Sequence, residues 1–162
     1  MKALMILLLL TSTLQAEDKM VATVKMIRGK VFVQGADGLK SPIKQNDKIN
    51  EGALISTEDA SFAQLRFIDN SIVNVGPKSE MKIEQFSRNK PGLLSVVKGE
   101  IRSQVTKDYL DISKTERDKL YVKSKSAAMG IRGTDFIYSY NPGNETSTAV
   151  LLEGEVAFAR VD

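Results

Sequence analysis

From Ser61 to Pro77 the chain reads SFAQLRFIDNSIVNVGP, and apolar and polar positions alternate along both halves of it. Ala63, Leu65 and Phe67 fall on one face, with Gln64 and Arg66 on the other, which is the pattern of a half-buried strand. Asp69-Asn70-Ser71 breaks the alternation, and Asn70 tolerates a positive φ, so these three form the turn. Val73 and Val75 share a face on the return arm, which stops at Gly76-Pro77. The spacing predicts a β-hairpin over 61–77.

The rest of the chain reads the same way. Residues 21–33 alternate loosely and break at Gly29, and Asp37-Gly38 with Pro42 marks a turn. Gly52 precedes a short apolar run, MKIEQF (81–86) alternates, and 93–105 reads as a strand pair or one bent strand. NPGNETS (141–147) is a turn before the final strands. No stretch of ten or more residues holds a helical apolar period. The prediction is an all-β single domain of short strands arranged as a β-solenoid or roll-like sandwich, with a Greek-key β-sandwich as the alternative. One internal echo supports a coiling chain. IRGKVFV, VKGEIRS and LEGEVAF repeat an apolar-charged-Gly-charged-apolar form, and Gly29, Gly99 and Gly154 would mark bulges, bends or close backbone approaches.

The segment with the most chemical promise is AAMGIRGTDF (127–136). Gly130-Ile131-Arg132-Gly133 has the spacing of a nucleic-acid-clamping G-x-x-G loop, but such a loop needs flanking helices. Here a strand-forming run, FIYSY, follows it, and no aromatic platform accompanies it. The expectation is a tight strand-to-strand connection instead. Gly133 would supply an open backbone, Thr134 and Asp135 would bond back to free amides, Arg132 would pair with Asp135 or a neighbouring carboxylate, and Phe136 would point into the core. All of these are expected to be structural residues, with no nucleic-acid partner.

Composition changes the picture by subtraction. With no histidine and no cysteine there is no Ser-His-Asp triad, no thiol nucleophile, no disulfide and no ordinary zinc or copper site. An oxygen-only calcium site at Asp69-Asn70-Ser71 with Glu58 and Asp59 is poorly supported, since only one acid lies in the turn. Lys119, Lys123 and Lys125 would form a solvated stripe on one strand face. Asp108, Asp111, Glu116 and Asp118 sit among lysines in a mixed-charge loop. The expectation is no catalysis, no metal and no cofactor.

The first residues, MKALMILLLLTSTLQA, have a charged start, an apolar middle and a small, polar end, as in a secretory signal peptide. Cleavage after Ala16 leaves 146 of the 162 residues, with 22 of the 23 basic residues against 20 acidic ones. That near-balance gives no electrostatic footprint for nucleic acid. No other apolar stretch approaches the ~20 residues of a membrane-spanning helix, so a periplasmic or secreted domain over 17–162 is expected.

Residues 51–83, EGALISTEDASFAQLRFIDNSIVNVGPKSEMKI, resemble the core signature of the FecR domain. That signature is a Gly, a Thr-led alternating strand, an Asp-x-Ser turn, then an apolar strand and Pro. VVKGEIRSQV, YVKSKSAAMGIRGTDFIY and VLLEGEVAF resemble its later blocks in order, and Arg132–Phe136 resembles its most recognisable run. The likeness spans about 28–158, with Asn70 where the family usually has Gly. It implies an all-β periplasmic module that binds partners without catalysis. In iron-uptake regulators of this family the domain relays a signal from an outer-membrane receptor to a sigma factor. The present sequence shows no cytoplasmic anti-sigma segment and no internal membrane helix, so a stand-alone exported domain is expected. Its partner would be an envelope protein, or cell-wall glycan. A structural or adhesive envelope component assembling through strand edges is the competing reading.

Overall fold

Alternation of the kind seen at 61–77 recurs so often that the whole described chain is strand and turn. In the computed structural model, residues 19–87, 90–106 and 119–161 are described. The leader at 1–16 and the acids of the mixed-charge loop lie outside them. Twelve strands follow in order: β1 (Met20–Arg28), β2 (Val31–Gln34), β3 (Lys40–Pro42), β4 (Lys48–Asn50), β5 (Leu54–Thr57) and β6 (Phe62–Phe67). They continue with β7 (Ile72–Val75), β8 (Glu80–Gln85), β9 (Gly92–Gln104), β10 (Leu120–Lys123), β11 (Ala127–Asn141) and β12 (Thr146–Arg160).

All twelve belong to one sheet that curls into an open half-barrel, so the all-β, roll-like, single-domain expectation holds. The main path runs β3-β2-β5-β8-β9-β7-β6-β1-β4; β10 and β11 extend it from β9, and β12 pairs with β11 alone. The predicted hairpin is β6 and β7, with Ala63 opposite Val75 and Leu65 opposite Val73. Its apolar face is buried: Ala63, Leu65, Phe67, Val73 and Val75 all join the core. Phe67 stacks on Phe86 with ring centres 4.4 Å apart in a tilted pair, the geometry that aromatic quadrupoles favour.

The run 93–105 is one bent strand, β9, and it organises the molecule. Its first half pairs with β8 and, in parallel, with β10; its second half pairs with β7 and β11. The bend between them falls at Gly99, whose φ of 81° lies in the left-handed region that a Cβ disfavours. A Cβ there would also sit 2.7 Å from Ser79 Cα. The adjacent amide is held by the same residue: Glu100 N donates to Ser79 Oγ at 2.9 Å. Gly29 repeats the arrangement, with Lys30 N donating to Ser61 Oγ at 2.9 Å. Both serines follow a left-handed residue, Ala60 (φ 51°) and Lys78 (φ 52°). The echo in the sequence is therefore a repeated corner, each glycine bend capped by the hydroxyl of a neighbouring turn.

Candidate functional site

The Asp69-Asn70-Ser71 turn forms as expected, with Asn70 at φ 64°. Asp69 is buried, and its carboxylate accepts from Ser71 N at 2.9 Å and Ser71 Oγ at 2.8 Å. Thr106 Oγ1 then donates to Asp69 O at 2.7 Å, tying the turn to the end of β9. These bonds use the oxygens that a cation would need. Asp59 is ion-paired to Lys78 at 2.8 Å and Glu58 to Lys30 at 3.5 Å. Among the described residues no group of three or more acids stands together as a metal site. The lysine stripe divides: Lys119 and Lys123 are half-buried on the side of β10 away from the core, and Lys125 bonds Glu145.

The structure corrects three expectations for the GIRGTDF run. One is that Thr134 and Asp135 would bond back to free amides, which neither side chain does among the described residues. Nor is the run a strand-to-strand connection: Gly130, Arg132, Gly133, Thr134, Asp135 and Phe136 all lie inside the single strand β11. The chain bends there without reversing, because β12 bends beside it. Gly133 (φ 62°) and Gly154 (φ 98°) fall at the same level of the two strands, between the Ile131–Val156 and Phe136–Leu151 pairs. A Cβ on Gly154 would lie 2.9 Å from Gly133 O. This is a third corner, in which Thr134 follows a left-handed residue as Ser61 and Ser79 do, but its Oγ1 has no hydrogen-bond partner.

Arg132 does not pair with Asp135 either. Asp135 lies opposite Gln104, one residue from the bend, so its side chain reaches along β9. It accepts from Arg102 Nε at 3.0 Å, Arg102 Nη2 at 2.8 Å and Gln104 Nε2 at 3.0 Å. Arg132 is exposed and makes no ion pair among the described residues. Phe136 is fully buried, as the sequence predicted.

The hydrogen bonds from Arg102, and then that from Gln104, hold the Asp135 carboxyl below the usual carboxylate range. Glu51 is held low chiefly by the Phe86 amide at 2.9 Å, and Glu84 chiefly by Lys82. Groups depressed in the folded state favour folding above their unfolded pKa, near 4, and that support disappears as pH falls through the folded values. With no histidine in the chain, no ordinary side chain titrates between about pH 5 and 8. The melting temperature is expected to be flat over that range and to fall below about pH 4. Melts in a series of buffers check this, and a step near pH 6 would contradict it.

The feature that sequence reasoning missed lies beside the corner. β12 is 15 residues long, and all of it except Ser147 and Val156 is exposed. Leu151 is 44% exposed and Phe158 51%. Their cross-strand partners Phe136 and Met129 are buried, and directly opposite residues share a face, so Leu151 and Phe158 point to the core side of the sheet. The core is therefore open at this end. A cavity of about 370 Å³ lies there, floored by Met129 and Phe136 and walled by β12 residues including Ala149, Leu151, Val156 and Phe158. The available signal was the unbroken run Val150-Leu151-Leu152, which a one-sided buried strand would not carry. Tyr138, at the edge of this region, is buried and satisfied: its hydroxyl donates to Ser124 Oγ at 3.0 Å.

No curated protein matches the chain. One solved structure, described as a cell surface anchoring domain, is 24% identical, with a TM-score of 0.37 over 38% of this chain and 82% of its own. The family described as FecR protein matches residues 53–157, which take in the Asp-x-Ser turn, the β9 bend and the β11–β12 corner. The chain belongs to the FecR protein family.

Proposed function

We propose that this protein is a non-enzymatic interaction module of the bacterial envelope, exported to the periplasm by its leader, with its contact surface on the core-side face of β12. The observation that carries this reading is the open apolar end of the sheet. Leu151, Val156 and Phe158 line a cavity whose floor is already core, and large apolar patches on a folded domain mark contact sites. Membership of a signalling and regulatory family whose domains mediate protein interactions supports it. So does the chemistry: the nucleophile-base sites that use histidine or cysteine are absent from this chain. Among the described residues, no helix is long and apolar enough to cross a membrane.

The occupant proposed is an apolar segment of an envelope protein, in keeping with the apolar lining. A photo-crosslinking residue at Leu151 or Phe158 is expected to capture one discrete envelope protein from exported material. The same residue at Leu39, exposed on the distant β2–β3 loop, captures none. Equal capture from both positions, or transfer to glycan alone, overturns the reading. The captured chain is expected to begin near residue 17; one beginning at Met1 overturns the exported location.

A further inference from the structure

We infer that β12 is also a self-pairing edge, and that two copies of this chain join along it in antiparallel register about a two-fold axis. The inference rests on the reading above in one respect, that the β12 end is a contact surface. It concerns the backbone edge rather than the apolar face.

Among the described residues β11 is the one strand that pairs with β12, so from Thr146 to Ala159 the other side of this long strand presents backbone N–H and C=O groups to no second strand. The other two ends of the sheet are shielded in ways that β12 is not. β3 and β4 are three residues each, β3 carries Lys40 and Pro42, and β4 carries Lys48. Among the described residues the sheet thus has one long open edge, on which Val150, Leu152 and Phe158 are each about half exposed beside the charged Glu153, Glu155 and Arg160.

The Gly154 corner makes that edge self-complementary. Before it, Ser147, Ala149 and Leu151 face the core; after it, Val156, Phe158 and Arg160 do, as their buried β11 partners show. The alternation therefore changes phase at the middle of the strand. In a regular strand, an antiparallel pairing that sets odd residues against even ones would place core-side residues of one copy opposite outer residues of the other. Here it keeps core side with core side throughout: Leu151 meets Val156 of the second copy, Ala149 meets Phe158, and Ser147 meets Arg160. On the outer side Val150 meets Ala157 and Thr148 meets Ala159. Large residues meet small ones, and the axis passes between Glu153 and Gly154.

Fourteen paired residues at ~3.4 Å rise and ~10 Å of sheet thickness bury roughly 1,000 Å² in total, the threshold for a specific interface. A two-fold contact of this kind is closed, because it consumes the one long edge among the described residues, so assembly stops at two. That separates it from the open-ended assembly considered for an adhesive component. Pairing through the backbone leaves the two apolar faces uncovered and sets them side by side.

Sedimentation of the mature chain up to about 100 µM is expected to show a monomer–dimer equilibrium with no larger species. Two double variants then read the register. V150K/A157K places lysines directly opposite one another twice, and is expected to weaken the dimer by about tenfold or more. V150K/A157E places Lys opposite Glu at the same two points and is expected to dimerise like the parent. Both variants alter the same exposed positions, so equal melting temperatures confirm that folding is not the difference. A parent that stays monomeric, a ladder of larger assemblies, or two variants that dimerise alike would each overturn the inference. Capture of an envelope protein at Leu151 would stand in all three cases, so the two readings fail separately.

Discussion

Phe136→Ala is expected to lower the unfolding free energy by about 3–5 kcal/mol, the range for emptying a large aromatic site in a core. The side chain is fully buried, and its backbone is fixed on both sides, opposite Ser103 on β9 and Leu151 on β12. Both neighbours are held in continuous strands, so the site cannot collapse cheaply. Arg132→Ala, four residues earlier in the same run, is expected to cost about 0–1 kcal/mol, as for an exposed charge. Chemical denaturation of the two variants tests the ranking. A loss below about 1 kcal/mol for Phe136→Ala would mean that the run serves binding rather than packing. The ranking matters because Arg132 to Phe136 resembles the family's most recognisable run. In this structure, Gly133 and Phe136 account for it through a corner and a core anchor, and Asp135 through its tie to β9.

Gly99→Ala is expected to cost about 2–5 kcal/mol, from two separate sources. Holding an L-residue in the left-handed region costs roughly 1–2 kcal/mol. Forcing atoms into a filled site costs about 1–3 kcal/mol more. The obstacle is backbone as well as side chain: the new Cβ would lie 2.7 Å from Ser79 Cα and 2.7 Å from Ser79 Cβ. Trimming the neighbour removes the closest contact, Ser79 Oγ at 2.2 Å, but leaves the two at 2.7 Å in place. Ser79→Ala leaves that Cα in place and strips the acceptor from Glu100 N, which should cost about 1–3 kcal/mol on its own. Thermal and denaturant melts of the two single variants and the double variant decide this. A near-neutral Gly99→Ala would show that the β9 bend does not need the glycine.

Local pattern carried much of the molecule. Period-2 alternation at 62–67 and 72–75 yielded both arms and the buried face of the first hairpin, because a strand's two faces are set by sequence alone. Asn70 marked its turn, and the three echoed glycines marked bends, because both signals depend on one residue's own φ preference. Phe136 was legible as core because a large apolar side chain in a strand-forming run favours burial. The errors began where the outcome depended on a distant segment. GIRGTDF looked like a reversal because two glycines and Thr-Asp are turn chemistry. Whether a chain with that chemistry reverses or only bends depends on its neighbour, and β12 bends beside it at Gly154. The Arg132–Asp135 pair looked natural at that spacing, but Arg102 approaches from β9.

What the sequence determined by itself was the class of fold, the family, the positions of the corners and the absence of thiol and imidazole chemistry. Each of these follows from residue identity or from a pattern a few residues long. Only the tertiary structure decided which strands are neighbours, and therefore which one is left over. Strand pairing joins residues far apart in the chain, such as β9 with β7 and with β11, and no local preference encodes those partners. The exposed face of β12 follows from that pairing alone: its residues are as apolar as those of a buried strand, and what leaves them in water is that the sheet ends there.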